Sequence, residues 1–134
     1  VASAGNDYTC NVLVRTFPRG VDTEVISRAC LERIDRETKD PLYREHVTNV
    51  MHDRPGDFRR GNVERPQGDR SDLRICIDTE EDFALVEGVI RGRGEKGAWA
   101  GIEEVIAYLD TRPDLARLNA GVKQKHTSLR SAAP

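Results

Sequence analysis

Asp78 stands where a short apolar run, residues 73–77 (LRICI), gives way to a helix-start signal, Thr79-Glu80-Glu81-Asp82. In open α/β sheets, ligands gather beyond the carboxyl ends of strands. A carboxylate there is a natural ligand for magnesium, which takes one or two carboxylates together with phosphate oxygens. The same position also suits an aspartate that only shapes a turn, and spacing leaves both readings open. A second candidate is Glu45-His46, with His46 on the apolar stripe of an expected helix. A histidine there is either an acid–base group or a hydrogen-bonded core residue. A third is the basic loop RTFPRG, residues 15–20, whose Arg15 and Arg19 can grip a phosphate or a carboxylate, or can simply be solvated. Arg59-Arg60 and Arg91-Gly92-Arg93 read as surface charge. The glycines of GRGEKG, residues 92–97, lack phosphate-loop spacing and follow a helix instead of a strand.

The elements that must position these residues alternate between strand and helix. Residues 8–14 (YTCNVLV) and 21–26 are β-branched enough for strands. Ser27 caps a helix running to about Thr38, with Ala29, Cys30, Leu31 and Ile34 as its apolar stripe. Asp40 caps the next helix and Pro41 takes its first position, where a missing N–H costs nothing. Leu42, Tyr43, His46, Val47, Val50 and Met51 recur along it at helical spacing, and Arg54-Pro55-Gly56 ends it. Residues 58–63 form a short strand and 64–71 a polar loop. Residues 73–77 read as a central, largely buried strand. Thr79 opens a helix as a capping box with Asp82, and Phe83, Val86, Val89 and Ile90 face its core. Gly92, Gly94 and Gly97 break the chain. Ile102, Val105, Ile106 and Leu109 mark another helix, residues 113–118 a short last one, and the segment from Lys123 a frayed tail. The class is α/β.

Composition narrows the function. The chain has 134 residues, enough for one core, and a net charge of -2, which gives no field toward nucleic acid or an anionic membrane. Its apolar runs are too short to span a bilayer. Cys10, Cys30 and Cys76 lie far apart and form no C-x-x-C pair, which argues against zinc and for buried thiols in a reducing, cytoplasmic setting. No basic-then-apolar leader is seen. The opening VASAGN runs without initiator methionine or cap into a strand-like stretch, and is read as the start of a cut chain.

Five segments in order resemble one family: DYTCN (7–11), RTFPRGVDTEVIS (15–27), REHVT (44–48), LRICIDTEEDFALV (73–86) and PDLARLNAGVKQK (113–125). It is the cytidylyltransferase family of the spore coat polysaccharide biosynthesis protein F type, related to the synthetases of CMP-linked acidic sugars. The resemblance implies part of a three-layer α/β/α nucleotide-diphospho-sugar transferase-like fold with a mixed sheet. It implies attack by a sugar hydroxyl or phosphate oxygen on the α-phosphate of CTP, with magnesium orienting the triphosphate. By this resemblance Asp78 is a metal ligand, Arg15, Arg19 and Asp22 bind the sugar, and Glu45 and His46 are catalytic. Glu80 stands where the family commonly has proline.

The family's nucleotide loop and first metal aspartate belong to an N-terminal half with no match here. Residues 1–122 are therefore expected to be the C-terminal, sugar-side part, and 123–134 a flexible tail. The chain alone is expected to be inactive, and to form a homodimer or associate with the N-terminal half. Two rival readings are a non-catalytic interaction or regulatory module, and a glycosyltransferase of the same fold.

Overall fold

A computed structural model of the chain describes residues 5–94 and 99–123. These divide into two compact units, residues 5–14 with 23–64, and residues 15–22 with 65–94 and 99–123. Each unit has its own hydrophobic core.

The first unit holds a mixed three-stranded sheet of order β2-β1-β3. β1 (Tyr8–Cys10) pairs antiparallel with β2 (Glu24–Ile26) and parallel with β3 (Arg60–Asn62). All three strands are shorter than the apolar runs suggest. Past Cys10 the Asn11 N–H still donates to Thr23 O at 3.3 Å, but the Asn11 side chain takes the Thr23 N–H at 2.8 Å, so the next rung is only half main chain. α1 (Arg28–Glu37) starts where expected, with Ser27 Oγ accepting the Cys30 N–H. Its buried stripe is Cys30 and Ile34, whereas Ala29 and Leu31 are exposed. Asp40 caps α2 (Pro41–Glu45) through the Leu42 N–H. The single long helix expected beyond it is instead two, because α2 stops and α3 (Asn49–Asp53) begins anew. His46, Val47 and Thr48 are weak helix formers, and Thr48 spends its hydroxyl on Glu24, 3.0 Å away. Tyr8, Cys10, Cys30, Ile34, Tyr43, Val50, Met51 and Phe58 form the core.

The second unit packs α4 (Glu80–Arg93), α5 (Ile102–Thr111) and the short α6 (Pro113–Ala116) around Leu73, Leu85, Val89, Ile106 and Leu109. The Gly101 N–H donates to Glu104 Oε2 at the start of α5. Residues 73–77 do not form the central strand expected. Among the described residues they make one isolated parallel bridge, Arg19 to Arg74. Nor is the run largely buried, since Leu73 is buried but Ile77 is 65% exposed, and a strand also needs a neighbour, which among the described residues Arg19 supplies at one bridge. α4 is rotated from the expected face. Asp82, Leu85 and Val89 are buried, while Phe83 and Ile90 are exposed. Gly92 lies within α4 against the Tyr108 side chain, and Gly94 caps the helix at φ 62°. Gly97 and the tail beyond Lys123 lie outside the described residues.

Candidate functional site

In the second unit, the loop 15–22 is fastened at its basic residues. Arg15 grips Asp22 through two parallel bonds, Nη1 to Oδ1 at 2.5 Å and Nη2 to Oδ2 at 2.8 Å. Partial burial opposes ionisation of Asp22, but the Arg15 guanidinium outweighs it and holds the carboxyl below its usual range. The Arg19 N–H donates to Leu73 O at 3.0 Å, and the Ile75 N–H returns to Arg19 O at 2.6 Å. Gly20 sits at φ +104°, and a Cβ there would collide with the Ile75 carbonyl. Glycine is thus required twice, by conformation and by close approach.

Asp78 follows directly. Its side chain is 63% exposed and meets Arg74 Nη2 at 2.8 Å. Asp82, one helical turn on, is its opposite in burial at 0% exposure. Asp82 accepts from Arg74 Nε at 2.9 Å, Arg74 Nη2 at 2.8 Å, Asn119 Nδ2 at 2.7 Å and the Asp78 N–H at 3.1 Å. Hydrogen bonding by Arg74 is the main reason its pKa falls to about 2, against the opposing effect of burial. Thr79 Oγ1 accepts the Asp82 N–H as a helix cap should. The return half of the capping box goes elsewhere, to the Asp78 N–H. The outcome is a division of labour: Asp82 anchors the turn, and Asp78 is left facing solvent in a shallow depression with Ile77, Thr79, Glu80 and Phe83.

Glu45 and His46 belong to the first unit. His46 is not within a helix but is the C-cap of α2, its N–H bonded to Leu42 O at 2.7 Å. Its ring lies 3.9 Å from Glu45, whose side chain is mostly exposed. A better-organised group in that unit surrounds Glu24. Tyr8 donates its hydroxyl to Glu24 Oε1, Thr48 donates to Oε2 at 3.0 Å, and His52 Nε2 lies 3.5 Å from Oε1 and 3.1 Å from the Tyr8 hydroxyl. His52 is the leading cause of a lowered Glu24 pKa, and burial pushes the Tyr8 phenol up.

Sequence reasoning did not single out Arg74, Asp82, Asn119, Glu24 or His52 as site residues. The one available signal was position. Arg74, Asp82, Asn119 and Glu24 all lie inside segments quoted above for the resemblance.

No protein-family model matches the chain. The spore coat polysaccharide biosynthesis protein SpsF of Bacillus subtilis (strain 168) is 31% identical over 114 residues, 84% of this chain and 46% of its own length. Over most of its own length the chain is thus similar to SpsF. The uncharacterised protein MJ1063 of Methanocaldococcus jannaschii is 30% identical over 107 residues, 79% of this chain and 43% of its own. A solved cytidylyltransferase from Leptospira borgpetersenii serovar Hardjo-bovis superposes with a TM-score of 0.78 at 22% identity, over 94% of this chain and 50% of that one. That likeness is one of fold, α/β with a mixed sheet. The chain spans a little under half the length of the curated relatives it matches.

Among the described residues no three His, Cys, Asp or Glu side chains gather as a metal cluster. Asp78 fits one ligand position of a magnesium ion, whose other ligands in such sites are typically phosphate oxygens, water and a further carboxylate. Among the described residues, too, no helix is long and apolar enough to cross a membrane.

Proposed function

We propose that this chain is the sugar-side part of a cytidylyltransferase that activates a sugar with CTP in polysaccharide biosynthesis. The observation that carries the reading is the contrast at the start of α4, where Asp82 is buried and neutralised while Asp78 is exposed beside it. A structural turn needs only the first of these carboxylates. The second, though it touches Arg74 at 2.8 Å, keeps its side chain 63% exposed and open to a ligand, whose nature the likeness to SpsF suggests. A sugar hydroxyl or phosphate oxygen forms a bond to the α-phosphorus of CTP. The bond from that phosphorus to the bridging oxygen breaks, and pyrophosphate departs. When the attacking group is a hydroxyl, its proton passes to a base, the role given to Glu45 and His46. Arg15, Arg19 and Asp22 hold the sugar.

Magnesium, when bound, neutralises charge on the triphosphate, and Asp78 is the residue of this chain that holds it. One carboxylate is too few to fix both metal and nucleotide, so the chain on its own is expected to be inactive and to act with an N-terminal half. The test is pyrophosphate release with CTP, magnesium and a panel of acidic and amino sugars, using the chain together with that half. Asp78→Asn should reduce turnover at least about 100-fold, the scale of removing one preorganised electrostatic group, and leave the helix cap intact. Undiminished turnover in Asp78→Asn refutes the metal role.

A further inference from the structure

The first unit contains a cleft of about 480 Å³ between α1 and α2. Leu31, Ile34 and Thr38 recur along α1 at helical spacing and form one wall. Tyr43 and Val47 face them from α2 and the segment just beyond it. The volume is that of a small-molecule site. Ile34 and Tyr43 are buried, whereas Leu31 is 42% exposed. Apolar surface is thus left to water inside a concavity.

Four charged residues rim the cleft: Glu32, Asp35, Arg36 and Arg44. Arg44 Nη1 donates to Asp35, and Glu32 Oε1 accepts from Arg28 Nε at 2.8 Å. Arg36 makes no hydrogen bond or ion pair among the described residues, although its charge reaches Asp35. Thr38 is a second unpaired group. It is 4% exposed, and its N–H bonds to Ile34 O at 2.8 Å, but its hydroxyl makes no hydrogen bond among the described residues. A buried hydroxyl is seldom left so. That oxygen is not sealed off, and the opening beside Thr38 is the cleft.

We propose that this cleft binds a small monocarboxylic acid with an apolar body. Leu31, Ile34 and Val47 receive the body, and Arg36 and the Thr38 hydroxyl hold the carboxylate. The surroundings favour one negative charge over two. Arg36 lies in the last turn of α1, where the helix dipole disfavours anions, and Glu32 and Asp35 stand on the same rim. One guanidinium and one hydroxyl satisfy a carboxylate, whereas a phosphate dianion would keep charge uncompensated. The apolar wall offers few partners to a sugar or a triphosphate. The site therefore differs in chemistry from the depression at Asp78 and does not rest on the cytidylyltransferase reading.

Isothermal titration calorimetry of the chain with octanoate, octanol and octyl phosphate tests this. Octanoate should saturate one site, at least about tenfold more tightly than either analogue, the scale of a charge-assisted hydrogen bond. Arg36→Ala should weaken octanoate about tenfold and leave octanol unchanged. Thr38→Val removes an unpaired hydroxyl at nearly constant shape, so it should fold, and it should weaken octanoate about threefold. Leu31→Asp alters an exposed side chain, so it too should fold, and it should abolish octanoate binding. Failure of octanoate to saturate one site overturns the proposal. So does equal binding of octanol, tighter binding of octyl phosphate, or octanoate binding that Arg36→Ala leaves unchanged. Sedimentation adds one more check: a dimer that Leu31→Asp converts to monomer means that a second copy fills the cleft, and the proposal fails.

Discussion

Asp82 in the second unit and Glu24 in the first each gather donors from separate stretches of chain, but the donors differ in kind. Asp82 is sealed from water and receives a guanidinium, an amide and a main-chain N–H. Glu24 is only partly covered and receives a phenol and a threonine hydroxyl, with an imidazole alongside. A buried carboxylate is tolerable only when fully paired, and it then becomes costly to disturb. A half-covered one shares its burden with water and tolerates more. The second unit should therefore be brittle around its acidic centre, and the first forgiving.

The sharpest way to break this comparison is Asp82→Ala. It removes the buried carboxylate from nearly buried Arg74, whose pKa Asp82 raises, and leaves exposed Asp78 to pair with it. Loss of one partner from such a pair costs about 3–5 kcal/mol, read as a fall in denaturation midpoint and as faster amide exchange in α4. The pH dependence has the same origin. Asp82 titrates near pH 2 in the folded chain against 3.8 for an ordinary aspartate. Its contribution is fully present above about pH 4 and is lost as pH falls toward 2. An acid titration of Asp82→Asn should lack that component.

Gly20→Ala should come next. It combines a left-handed φ with a collision against the Ile75 carbonyl, and such strain costs about 1–3 kcal/mol. Thermal denaturation would register it. A neutral result would mean that the 15–22 loop is not held against residues 73–75 as described.

Glu24→Gln is expected to cost less, about 1 kcal/mol, because a neutral amide can keep part of the hydrogen bonding. Glu24 has a lowered pKa, with His52 as the leading cause. Its stabilisation is therefore present above the ordinary glutamate range and is lost as pH falls below it, and the variant should flatten that part of a stability–pH curve. A loss as large as that of Asp82→Ala would erase the distinction between the units. Smallest of all, Arg28→Ala removes an exposed i,i+4 pair with Glu32 and should change the melting free energy by no more than about 0.5 kcal/mol.

What could be read from the sequence was largely local. The caps at Ser27, Asp40 and Thr79 and the proline opening α2 depend on neighbours within three residues, and all stand where expected. Residues 73–77 differ from expectation because apolarity says nothing about who pairs with a strand, and the run is not itself mostly buried, Ile77 being exposed. The break after Glu45 escaped notice because it depends on Thr48 reaching Glu24, 24 positions away. Exposure of Phe83 and Ile90 has a similar cause. The buried stripe of α4 includes a charged residue, Asp82, which hydrophobic periodicity assigns to the outside. Of the candidate site, Asp78 was legible from its place before the cap. Arg15 and Asp22 were named together through the family likeness, and they are joined as an ion pair. The Asp82 centre was not legible, since its Asn119 partner lies 37 positions on.

Asn119 also gives the molecule a clock. It is buried, and its Nδ2 donates both to Asp82 Oδ1 and to the Arg74 carbonyl. Spontaneous hydrolysis of this amide would replace a nitrogen carrying two hydrogens with a bare oxygen. Both donations would become repulsions, and two carboxylates would face each other where one is already held near pKa 2. Folding shields the amide from that hydrolysis for as long as the centre stays closed. Each transient opening of the second unit exposes it to attack, so chemical ageing at Asn119 would accumulate in proportion to time spent open, and a molecule altered there would not close again as well as before.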